Sequence, residues 1–143
     1  MWKKFLETLK KKSLSEQVLD KSINSIKQVK DMFLNAKFAL RNKGNLELAK
    51  RVLEEDRMIN KSERSVRRKL LTHFALNDNF DIGTGFAISS IVIDFERIGD
   101  YTKNIADLAL LMDDHFTCDV YDDRVKSIEQ KIEKIFDKTI RSE

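Results

Sequence analysis

The stretch that decides the fold is "IVIDFERIGDYTKNIADLA", Ile91–Ala109. Together with Ile88 just before it, Ile91, Phe95, Ile98, Ile105 and Ala109 return at three-, four- and seven-residue steps, the period of one helix face. The opposite side of the same wheel carries Glu96, Asp100, Asn104 and Asp107 as a column of oxygen donors. Glu96 and Asp100 stand one turn apart, and like charges at that spacing cost an isolated helix roughly 0.2–0.5 kcal/mol. Gly99 lies near the edge of the apolar face, where the missing side chain lets a neighbouring helix come close. Two questions follow: what this helix packs against, and what its stacked carboxylates hold.

The polar connection "NDNFD" precedes this helix, and Asp81 caps a segment expected to reach about Met112. Before it, "ELAKRVLEEDRMINKSERSVRRKLL" (Glu47–Leu71) belongs to a helix expected over Leu46–Leu76, capped by Asn45. Its core stripe is Ala49, Val52, Ile59, Val66, Leu70 and Phe74. Earlier still, Val18, Leu19, Ile23, Ile26, Val29, Phe33, Ala36 and Leu40 mark a helix over about Ser15–Lys43, stopped by Gly44 at the C′ position. After the loop "DDHFTCDVYDD", Val125, Ile128, Ile132, Ile135 and Phe136 give a shorter helix from about Asp123 to Arg141. Short connections between long helices imply antiparallel neighbours. The fold class is all-α: an antiparallel up-down three-helix bundle with an additional C-terminal helix.

Composition agrees with that class. The 143 residues suffice for one domain with a real core, there is no proline, and 36% of residues are charged against 41% hydrophobic. A formal charge of +3, with "RSVRRK" (Arg64–Lys69) as the one basic cluster inside the helices, gives no reason to expect a nucleic-acid partner. A single cysteine, Cys118, cannot form an internal disulfide, and no apolar run reaches bilayer-spanning length, so a cytoplasmic location is expected. Residues 1–12, "MWKKFLETLKKK", put Trp2, Phe5, Leu6 and Leu9 on one side and five lysines around the rest. Trp2, Lys3, Lys4 and Phe5 then read either as a peripheral membrane or partner contact or as the docked start of the bundle.

The acidic column has two readings. One is a solvated face, neutralised by Arg97 and Lys103 beside it through surface pairs of small worth. The other is a cation site, because carboxylates one turn apart can share an ion and hard oxygens suit Mg, Mn, Fe or Ca. One helix supplies too few ligands, so a second column is required. In the preceding helix Asp56 and Glu63 fall near the middle of the apolar stripe, with Asn60 at its edge, and polar groups there are costly unless paired or coordinated. Glu63 has Arg67 one turn on; Asp56 with Asn60 reads as either a ligand pair or a buried hydrogen-bond network. His73, His115 and Cys118 stand apart, and no phosphate loop or nucleophile elbow is present. No catalytic residues are assigned, and no enzyme is expected.

The two quoted segments resemble one repeat of the PhoU family of phosphate-uptake regulators, over about Phe33–Leu110, with "ERIGD" and the trailing "NIA" as its most specific signature. That family typically carries two three-helix repeats, each with paired acidic motifs able to bind multinuclear metal clusters. The resemblance implies a non-enzymatic cytosolic regulator that acts on a phosphate transporter, a sensor histidine kinase or both, with Fe, Zn, Mn or Mg as the metal. Glu96 and Asp100 match the third-helix motif, and Asp56 and Asn60 the second-helix one, with Asn60 in place of a second carboxylate; Glu63 and Asn104 are further candidates. Residues 13–118 then form the PhoU-like bundle, and 119–143 a helix that completes it or starts a second repeat. One repeat instead of two implies a homodimer, since an isologous pair rebuilds an internal duplication. The competing functions are a metal-storing or metal-sensing bundle, and a helical adaptor without metal.

Overall fold

The computed structural model describes residues 14–42, 45–76 and 82–141. Trp2, Lys3, Lys4 and Phe5, with the rest of the N-terminal segment, lie outside the described residues, as do Gly44, Asp81 and the side chains of Val18, Leu19 and His73. Four α-helices run α1 Leu14–Arg41, α2 Leu46–Leu76, α3 Ile82–Leu111 and α4 Asp122–Arg141, the last preceded by a 3-10 turn at Asp119–Tyr121. These ends agree with the sequence expectation to within two residues. At the start of α2 the Asn45 carbonyl accepts the Leu48 N–H at 3.1 Å, while its side-chain amide reaches back to the Asn42 carbonyl at 3.3 Å. Asn45 thus bridges the turn instead of capping the helix with its side chain.

Long-range side-chain bonds fix the directions. Lys21 meets Ser65 and Ser25 meets Ser62, so α1 and α2 are antiparallel. Phe74 stacks near Phe86 while Lys103 reaches Asp56, so α2 and α3 are antiparallel too. All three pack on one another, which makes the up-down three-helix bundle. Its larger apolar cluster gathers Val29, Met32, Phe33, Ala36, Val52, Ile59 and Ala106; a smaller one gathers Val66, Leu70 and Val92. Between them buried Ser22, Ser25 and Glu63 form a polar layer. Such a layer fixes register, because sliding one helix would strand hydroxyls against hydrocarbon.

α3 departs from the sequence reading in one instructive way. Its fully buried positions are Gly85, Val92, Gly99, Thr102, Ala106 and Ala109, while Ile91 is 46% exposed. Small residues let α3 settle between α1 and α2, whereas a wheel weighted by bulky hydrophobics points toward Ile91 and Ile98. The helix is therefore rotated relative to that expectation, and its acidic column borders a helix–helix seam instead of facing away from the packing.

α4 lies along α1, and among the described residues its backbone packs on no other long helix. Lys30–Asp137, Lys37–Glu133 and Arg41–Glu129 form an antiparallel ladder of ion pairs, and Phe33 meets Phe136 at 5.9 Å between centroids. Ile128 and Ile135, expected on the packed side of α4, are 55% and 62% exposed. For Ile135 the reason is that α3 and α4 do not close: an apolar cleft of ≈ 380 Å³, lined by Phe95, Ile98, Ile105, Ile132 and Ile135, stays open between them. Arg41 anchors this end. It pairs with Asp122, bonds Glu129 at 2.9 Å, donates to the Phe116 carbonyl at 3.3 Å and stacks over the Phe116 ring at 5.1 Å. Burial alone would lower the Arg41 pKa, but the bonds to Asp122 and Glu129 reverse this and raise it.

Arg41→Met should cost about 1–3 kcal/mol, because it leaves the partly buried Glu129 without its partner and Asp122 with Lys126 alone. Amide exchange should rise in α4 and stay unchanged in α2 and α3; equal loss in all helices would contradict this hierarchy. Bonds from Lys126 and Arg41 hold Asp122 at about 2, below its ordinary value of 3.8. A depressed carboxylate gives stability that is present above the unfolded value and lost as pH falls through the folded one. Protection of α4 should therefore fade as pH drops from 3.8 toward 2, and Asp122→Asn should weaken that dependence, leaving the part due to Asp137, whose bond to Lys30 also holds it below its ordinary value.

Candidate functional site

The site is built on the seam where α2 and α3 cross. Asp56 sits on the inner face of α2, at 5% exposure, because the helical period that buries Val52 and Ile59 carries position 56 inward as well. Asn60, one turn on, donates from Nδ2 to Asp56 Oδ2 at 3.2 Å. Asp56 Oδ1 is buried without a hydrogen-bond partner. Glu55 Oε2 is in the same state, but the other oxygen of Glu55 takes Arg51 at 2.8 Å.

Gly99 of α3 lies directly over Asp56. A Cβ at position 99 would stand 3.7 Å from both Asp56 Oδ1 and Ile59 Cγ2, in van der Waals contact with each. The glycine expected to admit a neighbouring helix does so here, over a carboxylate. Glu96 and Asp100, on either side of Gly99, are half-buried along the seam, while Asn104 is exposed. Glu63 is buried and takes Arg67 at 2.8 Å, the pair its spacing anticipated. Lys103 reaches across from α3: its Nζ is 3.4 Å from Asp100 Oδ1 and 3.9 Å from Asp56 Oδ2. Sequence spacing placed Lys103 beside the column, but its reach to Asp56 depends on the rotation of α3.

The electrostatics join the two helices. Burial pushes the Asp56 carboxyl above its ordinary value; Lys103 opposes this, and Asp100 and Asp107 reinforce it. Burial likewise raises Glu96, helped by Asp100, Glu63 and Asp56, with Arg97 opposing. Carboxylates from both columns thus feel one another, which the helical wheels alone could not establish. An excess of negative potential, hard oxygen donors and one orphaned buried oxygen suit a small divalent cation. Among the described residues, however, no three His, Cys, Asp or Glu side chains converge on one point as they stand. His115 is exposed and bonded to Asp114 at 2.9 Å, well away in sequence and fold from the seam.

A carboxyl whose pKa is raised binds its proton more tightly in the folded chain than in the unfolded one. Its ionised form therefore costs stability at pH above the folded value, and the cost fades as pH falls through that value. Asp56→Asn should raise the melting temperature by a few degrees at about pH 7 and change it less near pH 4, followed by circular dichroism. A lower melting temperature at neutral pH would mean that the Lys103 contact outweighs burial.

Comparison with known proteins fits this geometry. The PhoU domain model matches residues 24–109, a span that contains both acidic motifs and Gly99. The phosphate-specific transport system accessory protein PhoU homolog of Aquifex aeolicus (strain VF5) is 34% identical over 99 residues, covering 68% of this chain and 44% of that protein. The chain thus spans less than half the length of that relative. No solved structure matches. On the matched domain and this relative, the chain belongs to the PhoU family.

Proposed function

We propose that this chain regulates phosphate uptake and phosphate-responsive signalling by docking on a phosphate transporter, a sensor histidine kinase or both, and that its acidic seam takes a divalent cation. The observation that carries the reading is the coincidence of family and geometry. The matched domain holds both acidic motifs, and across the seam they lie within electrostatic reach of each other. Support for the phosphate connection comes from the relative, which is named as an accessory protein of a phosphate-specific transport system.

Asp56 and Asn60 on α2, with Glu96 and Asp100 on α3, are the ligands of this proposal; Glu63 and Asn104 stand at its margin. Mg, Mn, Fe and Zn are the candidate ions. Asp56, Asn60, Glu96 and Asp100 would hold such an ion, which would supply charge neutralisation at the seam, so that its outer surface would become a fixed shape for a partner to read. No bond-making step is assigned to any residue, and the action is non-enzymatic. The location we assign is the cytoplasm, at the inner face of the membrane; no helix of the described residues is long and apolar enough to cross it. A homodimer is part of the proposal, because an isologous pair of the matched repeat would rebuild an internal duplication.

Three measurements test this. A deletion strain should show altered phosphate uptake or altered phosphate-responsive expression, and unchanged behaviour in both would sink the regulatory role. Protein purified without chelator should carry stoichiometric Fe, Mn or Zn, lost on the double change Glu96→Ala and Asp100→Ala; retention of metal by that variant moves the ion elsewhere. Light scattering at tens of micromolar should give the mass of a dimer, and a monomer would count against the pairing.

A further inference from the structure

Lys103 is the single cation among the described residues that contacts both acidic motifs; Arg67 is taken by Glu63, and Arg97 by Asp94. We propose that Lys103 is a tethered cation that fills the Asp56–Asp100 site in the free protein and withdraws when a divalent ion enters, setting the threshold for binding. The inference rests on the cation-site reading above and concerns what competes for that site.

Four features carry it. The ammonium lies on α3, one turn beyond Asp100, and reaches across the seam to Asp56 on α2, so it occupies the space that a shared ion would need. Its contacts, 3.4 and 3.9 Å, are longer than the roughly 2.7–2.9 Å of a tight charge-assisted bond, so it is held loosely. It serves Asp56 through Oδ2 alone and leaves Oδ1 orphaned, which makes it an incomplete partner that a better one can replace. The side chain is 34% exposed on a flexible four-carbon stem, so it has an exit to water. An ammonium and a divalent ion between the same two carboxylates would repel each other, so the two states exclude one another.

Manganese(II) binding, followed by calorimetry on the full chain, tests the exchange. Lys103→Met, which keeps the stem and removes the charge, should bind Mn(II) at least about tenfold more tightly than the native chain while melting at a lower temperature without metal. Lys103→Arg keeps the charge and should not tighten binding. In the native chain, saturating Mn(II) should speed acetylation of the Lys103 amine by an amine-reactive reagent, read by mass spectrometry, since the released ammonium moves to water. Equal or weaker binding by Lys103→Met, alongside native binding that Glu96→Ala with Asp100→Ala abolishes, overturns the exchange and leaves the cation site standing. Absence of binding in both native and Lys103→Met chains overturns the site and the exchange together. If Lys103→Met does not fold, unchanged acetylation of native Lys103 at saturating Mn(II) is the result that overturns it.

Discussion

A carboxylate held inside the α2–α3 seam with one oxygen unpartnered is the constraint around which this half of the molecule is arranged. Desolvating an ionised carboxylate costs several kcal/mol unless charge and hydrogen bonds compensate. Asn60 donates to one oxygen of Asp56, Lys103 approaches that same oxygen, and Gly99 brings the α3 backbone down over the other. Asn60 and Lys103 would serve a hydrocarbon core poorly. Their presence together makes sense around a charge.

The face where α4 lies along α1 solves a different problem by different means. There a ladder of complementary pairs holds α4 along α1. Arg41 is surrounded by acceptors, with its charge matched and its plane stacked on Phe116. At the seam the acids outnumber their partners, and burial raises Asp56 and Glu96. A satisfied network along α4 and an unsatisfied one at the α2–α3 seam separate the part that maintains the fold from the part available to a ligand.

The helices themselves were legible in the sequence, because long runs with a period of 3.6 residues and short polar connections leave little choice. So were the intrahelical pair Arg67–Glu63, which follows from spacing along one helix, and the place of Lys103 beside the acidic column. The rotation of α3 was not. Its packing is governed by Gly85, Gly99, Thr102 and Ala106, whose small size a hydrophobic pattern discounts, and the bulky Ile91 drew the expected face to the wrong meridian. Asp56 was recognised as a polar residue on an apolar stripe. That Lys103 would answer it from another helix could not be read from either helix alone. The Arg41 anchor was missed for the same reason: its partners, Asp122 and Glu129, come from a helix more than 80 residues later in the chain.

The central claim is that the α2–α3 seam is a cation site centred between Asp56 and Asp100, filled by Lys103 when no ion is present. Anomalous diffraction from crystals soaked in Mn(II) tests it most directly. The expected result is a peak bridging the Asp56 and Asp100 carboxylates, with the Lys103 side chain turned out to solvent. A seam without a peak, and with Lys103 still lying between the two carboxylates at saturating Mn(II), would contradict the account.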